Sequence, residues 1–129
     1  MSAVVVDTSV WVDYFRGQEI PLLDEALKRG AVMIPPVVVA ELVSGAHRPQ
    51  ERVALIDFLG ELPLCPDDRN HWLRVGELRR RCREQGCSTS TPDAHVAQCA
   101  LDAEALLFSR DRIFKAIARH CDLRLATDL

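Results

Sequence analysis

Apolar residues along the chain alternate between short unbroken runs and stretches with helical spacing, and turn residues separate the two. Ala3 to Val6 is a β-branched run that stops at Asp7-Thr8-Ser9, where small oxygen-bearing side chains suit the start of a helix. Val10, Trp11, Tyr14 and Phe15 then fall at three-to-four spacing, which predicts a helix from about Val10 to Arg16 ended by Gly17. A second helix is expected after Pro21, with Leu22, Leu23, Ala26 and Leu27 inward and Gly30 as its stop. Ala31 to Ile34 reads as a strand interrupted by Pro35-Pro36, and Val37 to Ala46 as a helix on its length and its Gly45.

Gln50 to Leu59 is an amphipathic helix, and the apolar stretch Leu62 to Cys65 fits either strand or loop. Asp67 or Asp68 can cap the next helix, which is expected to reach about Gln85 with Trp72, Val75, Leu78 and Cys82 inward and Gly86 as its stop. The polar segment Ser88 to Asp93 leads into another helix, with Thr91 as N-cap and Pro92 at the first helical position. Ala105 to Phe108 is a strand, Ser109-Arg110-Asp111 starts a final helix to about Arg119, and Leu123 to Ala126 is a last strand. Strands alternating with amphipathic helices imply βαβ units with right-handed crossovers. The expected fold class is therefore α/β: a three-layer α/β/α sandwich around a mainly parallel sheet.

Composition narrows the function classes. The chain has 129 residues, 48% hydrophobic and 27% charged, which suits one compact core and leaves no room for separate cofactor and substrate domains. No run approaches the ~18 apolar residues of a membrane span, and the opening Met-Ser-Ala-Val lacks a signal-peptide pattern, so a cytoplasmic protein is expected. The five cysteines (Cys65, Cys82, Cys87, Cys99, Cys121) form no C-x-x-C pair and read as reduced, mostly buried thiols. The four histidines (His47, His71, His95, His120) lack the i, i+4 spacing of a histidine zinc site. A net charge of −3 argues against coating nucleic acid nonspecifically, so any such role is local.

In a parallel sheet the ligand crevice lies beyond the carboxyl ends of the strands, which makes acid positions informative. Asp7 follows the first strand directly, Asp111 follows the Ala105–Phe108 strand, Asp93 opens the helix before that strand, and Glu41 lies in the helix after Pro36. Glu41 shares a helical face with Val37, Val38 and Leu42, where a lone carboxylate is costly, so it needs a partner. Each acid also has a local explanation: helix capping for Asp7, Asp93 and Asp111, and pairing with Arg48 for Glu41. If the four converge, two carboxylates about 5 Å apart repel by roughly 3 kcal/mol at an effective dielectric near 20, and they must bind protons or a cation. An oxygen-only set favours Mg²⁺ or Mn²⁺ over zinc, and such ions activate water for displacement at phosphorus, as a metal-dependent nuclease requires.

Taken together, Val4-Val5-Val6-Asp7-Thr8-Ser9-Val10-Trp11, Glu41 in Pro36-Val37-Val38-Val39-Ala40-Glu41-Leu42, Thr91-Pro92-Asp93-Ala94-His95-Val96-Ala97 and Leu107-Phe108-Ser109-Arg110-Asp111 resemble a PIN domain, in order and spacing. Length and opening are most similar to VapC-type toxins of toxin–antitoxin pairs. The resemblance spans nearly the whole chain and implies a single PIN-like domain over residues 1–129 and a Mg²⁺- or Mn²⁺-dependent endoribonuclease. It implies that Asp7, Glu41, Asp93 and Asp111 act as catalytic metal ligands or water activators, supported by hydrogen bonds from Thr8, Ser9 and Ser109. It further implies an RNA substrate, a cognate antitoxin that occludes the site, and a homodimer. Some relatives carry a further acid where this chain has Arg112, Ile113 and Phe114, which leaves a second metal position less supported than the first.

The Arg-rich stretch with Arg69, Arg74, Arg79, Arg80, Arg81 and Arg83 reads either as a guide for an RNA backbone or as a solvated helix face. Arg79, Arg80, Arg83 and Arg112 are the substrate-binding candidates. Trp11, Tyr14 and Phe15 fit core packing, or a groove for an antitoxin helix. Two other classes compete: a receiver-like domain, and an inactive acidic-pocket binding module. A receiver normally has adjacent early acids, whereas Asp7 stands alone, and only Asp67-Asp68 approaches the pattern. A haloacid-dehalogenase-like phosphatase requires Asp-x-Asp, and Ser9 fills the second position.

Overall fold

The computed structural model describes residues 3–126. Met1, Ser2 and residues 127–129, which the single-domain reading and the signal-peptide argument include, lie outside the described residues. The elements run β1 (Val4–Val6), α1 (Thr8–Phe15), α2 (Pro21–Lys28), β2 (Val32–Met33), α3 (Pro36–Gly45), α4 (Pro49–Leu59), α5 (Arg69–Glu84), α6 (Thr91–Asp102), β3 (Leu106–Phe108), α7 (Ile113–Ala118) and β4 (Arg124–Leu125). The sheet order is β2-β1-β3-β4 with every pairing parallel. Val4, Val5 and Val6 are all buried, as are Leu107 and Phe108, so helices cover both faces of the central strands in three layers. The chain leaves β1 for β2 on one side and later returns to set β3 on the other. That reversal makes a switch point at the carboxyl ends of β1 and β3, where a parallel sheet opens a crevice.

Local chemistry explains where the elements depart from expectation. Helix α1 starts at Thr8 rather than Val10, because Asp7 is already extended at the N-cap. In α6 the cap is Ser90, whose Oγ accepts the N–H of Asp93 at 3.2 Å, and Thr91 becomes the first helical residue in place of the expected cap. Helix α7 begins only at Ile113, since Ser109 to Asp111 are drawn into side-chain bonds at the crevice. Of Leu62 to Cys65 only Leu64 pairs, in a single parallel bridge with Ile34. Asp68 caps α5 by accepting the N–H of His71 at 3.0 Å, a structural role unlike that of a receiver acid.

The buried stripe of α5 is His71, Val75, Leu78 and Cys82 rather than one containing Trp72, which is 40% exposed. One residue of phase decides this, and the histidine it turns inward builds a polar seam between α5 and α6. His71 Nδ1 lies 2.7 Å from Asp102 Oδ2, and its Nε2 lies 2.7 Å from His95 Nδ1. Arg74 and Gln98 also bond Asp102, and the Trp72 ring stacks on His95 at 4.5 Å. One donor arrangement serves both contacts, with His95 Nδ1–H donating to His71 Nε2 and His71 Nδ1–H to Asp102. Two of the four histidines, His71 and His95, therefore do meet, and Cys99 stands one turn from His95.

The ligand atoms of His71, His95 and Cys99 lie within 4.8 Å of one another. Cys99 Sγ, however, is 4.0 Å from His95 Nδ1 and 3.8 Å from Nε2, a near-equidistance that places it off the lone-pair axis of both. The two rings are joined to each other and to Asp102 by hydrogen bonds.

The seam carries a pH prediction. Burial, and then the neighbouring His71, push His95 down to about 4, so the unfolded chain takes up a proton below pH 6.5 that the fold resists. Stability is full above pH 6.5, and about 3 kcal/mol is lost as pH falls to about 4. Burial alone would raise Asp102, but hydrogen bonds from Arg74, His71 and Gln98 outweigh it and hold the carboxyl down at about 2, so a further loss follows below its ordinary 3.8. Urea unfolding across this range should show the loss, reduced in His95→Gln. Equal pH profiles for the two proteins would refute the assignment.

Candidate active site

Asp7 ends β1 with its backbone N–H still donating to Phe108 O at 2.9 Å, so the β1–β3 ladder runs to the very edge of the crevice. Although Asp7 is the N-cap of α1, its side chain makes no capping bond; capping does not explain this acid. Its Oδ2 instead accepts Ser109 Oγ at 2.8 Å and Ser9 Oγ at 3.1 Å, in a position only 8% exposed. Each hydroxyl in turn accepts a backbone N–H from the loop after β3: Ser109 Oγ from Asp111 within that loop and Ser9 Oγ from Arg110 across the crevice, both at 3.1 Å. Two serines 100 residues apart in sequence thus knit the two sides of the switch point around one carboxylate.

Glu41 arrives from α3. The buried face of that helix is Val38 and Leu42, so Glu41 is exposed rather than sunk in the apolar face. Its partner is Thr8, whose Oγ1 donates to Oε1 at 2.7 Å, while Arg48 pairs with Glu51 instead. Asp111 accepts the N–H of Ile113 on Oδ1 at 3.1 Å, so the capping explanation holds in part for this acid.

Asp93, in the first turn of α6, reports on the whole group. Burial does most to raise its pKa; the Ser90 hydrogen bond lowers it; then Asp111, Asp7 and Glu41 each raise it by charge repulsion. Asp93 is therefore within reach of the charge of the other three sequence-predicted acids, which come from the end of β1, α3 and the β3–α7 loop. The spacing is open: among the described residues the three ligand atoms that close within 4.8 Å are the His71 cluster, not carboxylates. An oxygen-only donor set that holds one carboxyl above its ordinary range lacks positive charge, and it fits a hard divalent cation such as Mg²⁺ or Mn²⁺.

Residues 4–120 match the PIN domain family model. The chain belongs to the PIN domain family. It is 30% identical over 133 residues to Ribonuclease VapC11 of Mycobacterium tuberculosis and to VapC ribonuclease Mb1587 of Mycobacterium bovis, covering 96% of this chain and 98% of each relative. Its fold is similar to that in DNA-bound VapBC from Salmonella typhimurium, with TM-score 0.80, 17% identity and 98% coverage of both chains. VapBC2 from Rickettsia felis bound to a promoter DNA fragment superposes with TM-score 0.78 at 21% identity, over 96% of this chain and 97% of that one.

The arginines of this PIN domain divide by partner. Arg79 Nε donates to Thr89 O at 3.0 Å and is half-buried, and Arg80 bridges Glu77 and Glu84 on the exposed face of α5. Both have structural partners, as a solvated helix face requires; Arg83 and Arg112 are exposed. Trp11 is fully buried, with Phe15 and Phe58 rings at 5.7 and 5.6 Å, while Phe15 stays 46% exposed. Phe15 and Phe58 line a groove of about 730 Å³ with Val12, Leu42 and Leu55, and Glu41 also lines it. The groove was only half visible in sequence, because Phe58 comes from α4. Among the described residues, no helix is long and apolar enough to cross a membrane.

Proposed function

We propose that this PIN domain is a divalent-metal-dependent endoribonuclease acting as the toxin of a type II toxin–antitoxin pair. The observation that carries the reading is the raised Asp93 carboxyl, repelled by Asp111, Asp7 and Glu41 at the β1–β3 switch point. Near-full-length likeness to relatives named VapC ribonucleases supports RNA as the substrate. Asp7, Glu41, Asp93 and Asp111 would hold Mg²⁺ or Mn²⁺, which when bound supplies an acidified water and offsets charge on the leaving oxygen.

The protein groups have separable tasks. Ser9 and Ser109 donate to Asp7, fixing its carboxylate at the crevice. Thr8 takes one oxygen of Glu41 and leaves Oε2 for the site. Asp93, whose carboxyl is raised by burial and by its neighbours' charge, would accept the proton of the attacking water as the phosphodiester P–O bond breaks. The proton on the departing oxygen comes from solvent.

The groove beside Glu41 suits an antitoxin segment with an apolar face in the groove and a basic side chain toward the acids. A homodimer acting in the cytoplasm completes the reading. Expression of the chain without its antitoxin should arrest growth, and purified protein should cleave RNA in Mg²⁺ buffer. Normal growth together with intact RNA would contradict the proposal.

A further inference from the structure

The β3–α7 loop, Ser109 to Asp111, presents one acid of the crevice, yet it is not part of any helix or strand. Something must fix it. Its central residue, Arg110, sends its side chain away from the acids and back to the far end of α1. There Nη1 forms an ion pair with Asp13 Oδ2 and donates to Gln18 Oε1 at 2.7 Å. The pair is shielded: the Arg110 and Asp13 side chains are 25% and 34% exposed. At the same time the Arg110 backbone N–H donates to Ser9 Oγ, the hydroxyl that also bonds Asp7.

A backbone flanked on one side by Ser109, bonded to Asp7, and on the other by Asp111 is thus anchored through its middle side chain to a helix that starts at the crevice. We infer that Arg110 is a positioning residue: its clamp on Asp13 and Gln18 holds the Ser109–Asp111 loop so that Asp111 is kept at the crevice with Asp7 and Asp93.

Three features of the clamp support this over simple surface pairing. The ion pair spans 97 residues and ties the loop to the far end of α1, in addition to its contacts with Ser9 at the start of that helix. The planar guanidinium engages a carboxylate and an amide oxygen together, which fixes direction as well as distance. The peptide it restrains makes a bond within the hydrogen-bond set of Asp7, so movement at Arg110 is transmitted to the first acid as well as to the last. Groups that orient ligands without touching the ion typically change metal affinity by roughly 10–100-fold when removed.

The inference rests on the metal-dependent reading above, and its test separates the two. Arg110→Gln and Asp13→Asn are compared with the parent by thermal melting, by amide hydrogen exchange over residues 109–113 without metal, and by Mn²⁺ binding followed by electron paramagnetic resonance without RNA. Both variants should stay folded, exchange faster over residues 109–113, and bind Mn²⁺ on the order of tenfold more weakly. RNA cleavage should need correspondingly more Mg²⁺ and recover at saturating ion, and Arg110→Lys should restore part of the affinity. Parent-like exchange or parent-like Mn²⁺ affinity in Arg110→Gln would overturn the clamp alone. A parent protein that binds no Mn²⁺ would overturn the metal reading and the inference with it.

Discussion

Replacing Asp93 by Asn is expected to abolish RNA cleavage and leave the protein at least as stable as before. The loss should be on the order of 10³-fold or more, because an amide can neither take the proton of the attacking water nor contribute full charge to the ion. The stability half follows from the raised carboxyl. In the fold Asp93 gives up its proton less readily than in the unfolded chain, so at neutral pH its charge works against folding. That cost is absent at a pH below the ordinary carboxyl range and grows as pH rises through it. Asn removes the charge at every pH, so the variant should unfold at the same or higher urea concentration than the parent in metal-free buffer. A variant that is inactive because it is unfolded would contradict this, and so would one that still cuts RNA. Rate assays and urea curves on the same preparations distinguish these results.

Chelation should have a comparable effect on activity and the opposite effect on stability. Dialysis against EDTA is expected to silence cleavage, and Mg²⁺ or Mn²⁺ to restore it. The same ions should raise the melting temperature by offsetting the repulsion that Asp111, Asp7 and Glu41 exert on Asp93. Binding at a hundred times the dissociation constant stabilises by about 2.7 kcal/mol, roughly 10 °C for a chain of this size. Asp7→Asn should lose most of that increment. Its own stability should fall as well, since Ser9 and Ser109 would face an amide where they now donate to a buried carboxylate. Cleavage that persists after chelation would place the chemistry outside the acid group.

Much of this site was legible in sequence, and the reasons are specific. Asp7 and Asp111 follow strands, and a parallel sheet sends the residues after its strands to one edge, so their placement needed only the strand assignment. Ser109 came only from the resemblance of its segment to a PIN domain. Glu41 was found but misoriented. Its helix starts at Pro36 with Val38 and Leu42 inward, a narrower stripe than the run of valines suggests, and the side chain turns out to Thr8. Trp72 and His71 exchanged roles over one residue of helical phase, since a tryptophan outranks a histidine on any hydrophobic scale. Only the contact with His95, 24 residues away, makes the histidine the better buried group.

The histidine pair and the Arg110 clamp were not legible at all. Both depend on long-range approach between helices and loops that no local spacing encodes. The strand edges, being period-independent once the topology is right, carried the functional reading; the polar seams that hold those edges in register emerged only from the packed structure.

The most direct measurement is anomalous diffraction from crystals grown or soaked with Mn²⁺. The account predicts a peak at the carboxyl ends of β1 and β3, with oxygens of Asp7 and Asp93 and at least one of Glu41 and Asp111 at about 2.0–2.4 Å. A peak instead among His71, His95 and Cys99, or no peak near the four acids at millimolar Mn²⁺, would contradict it.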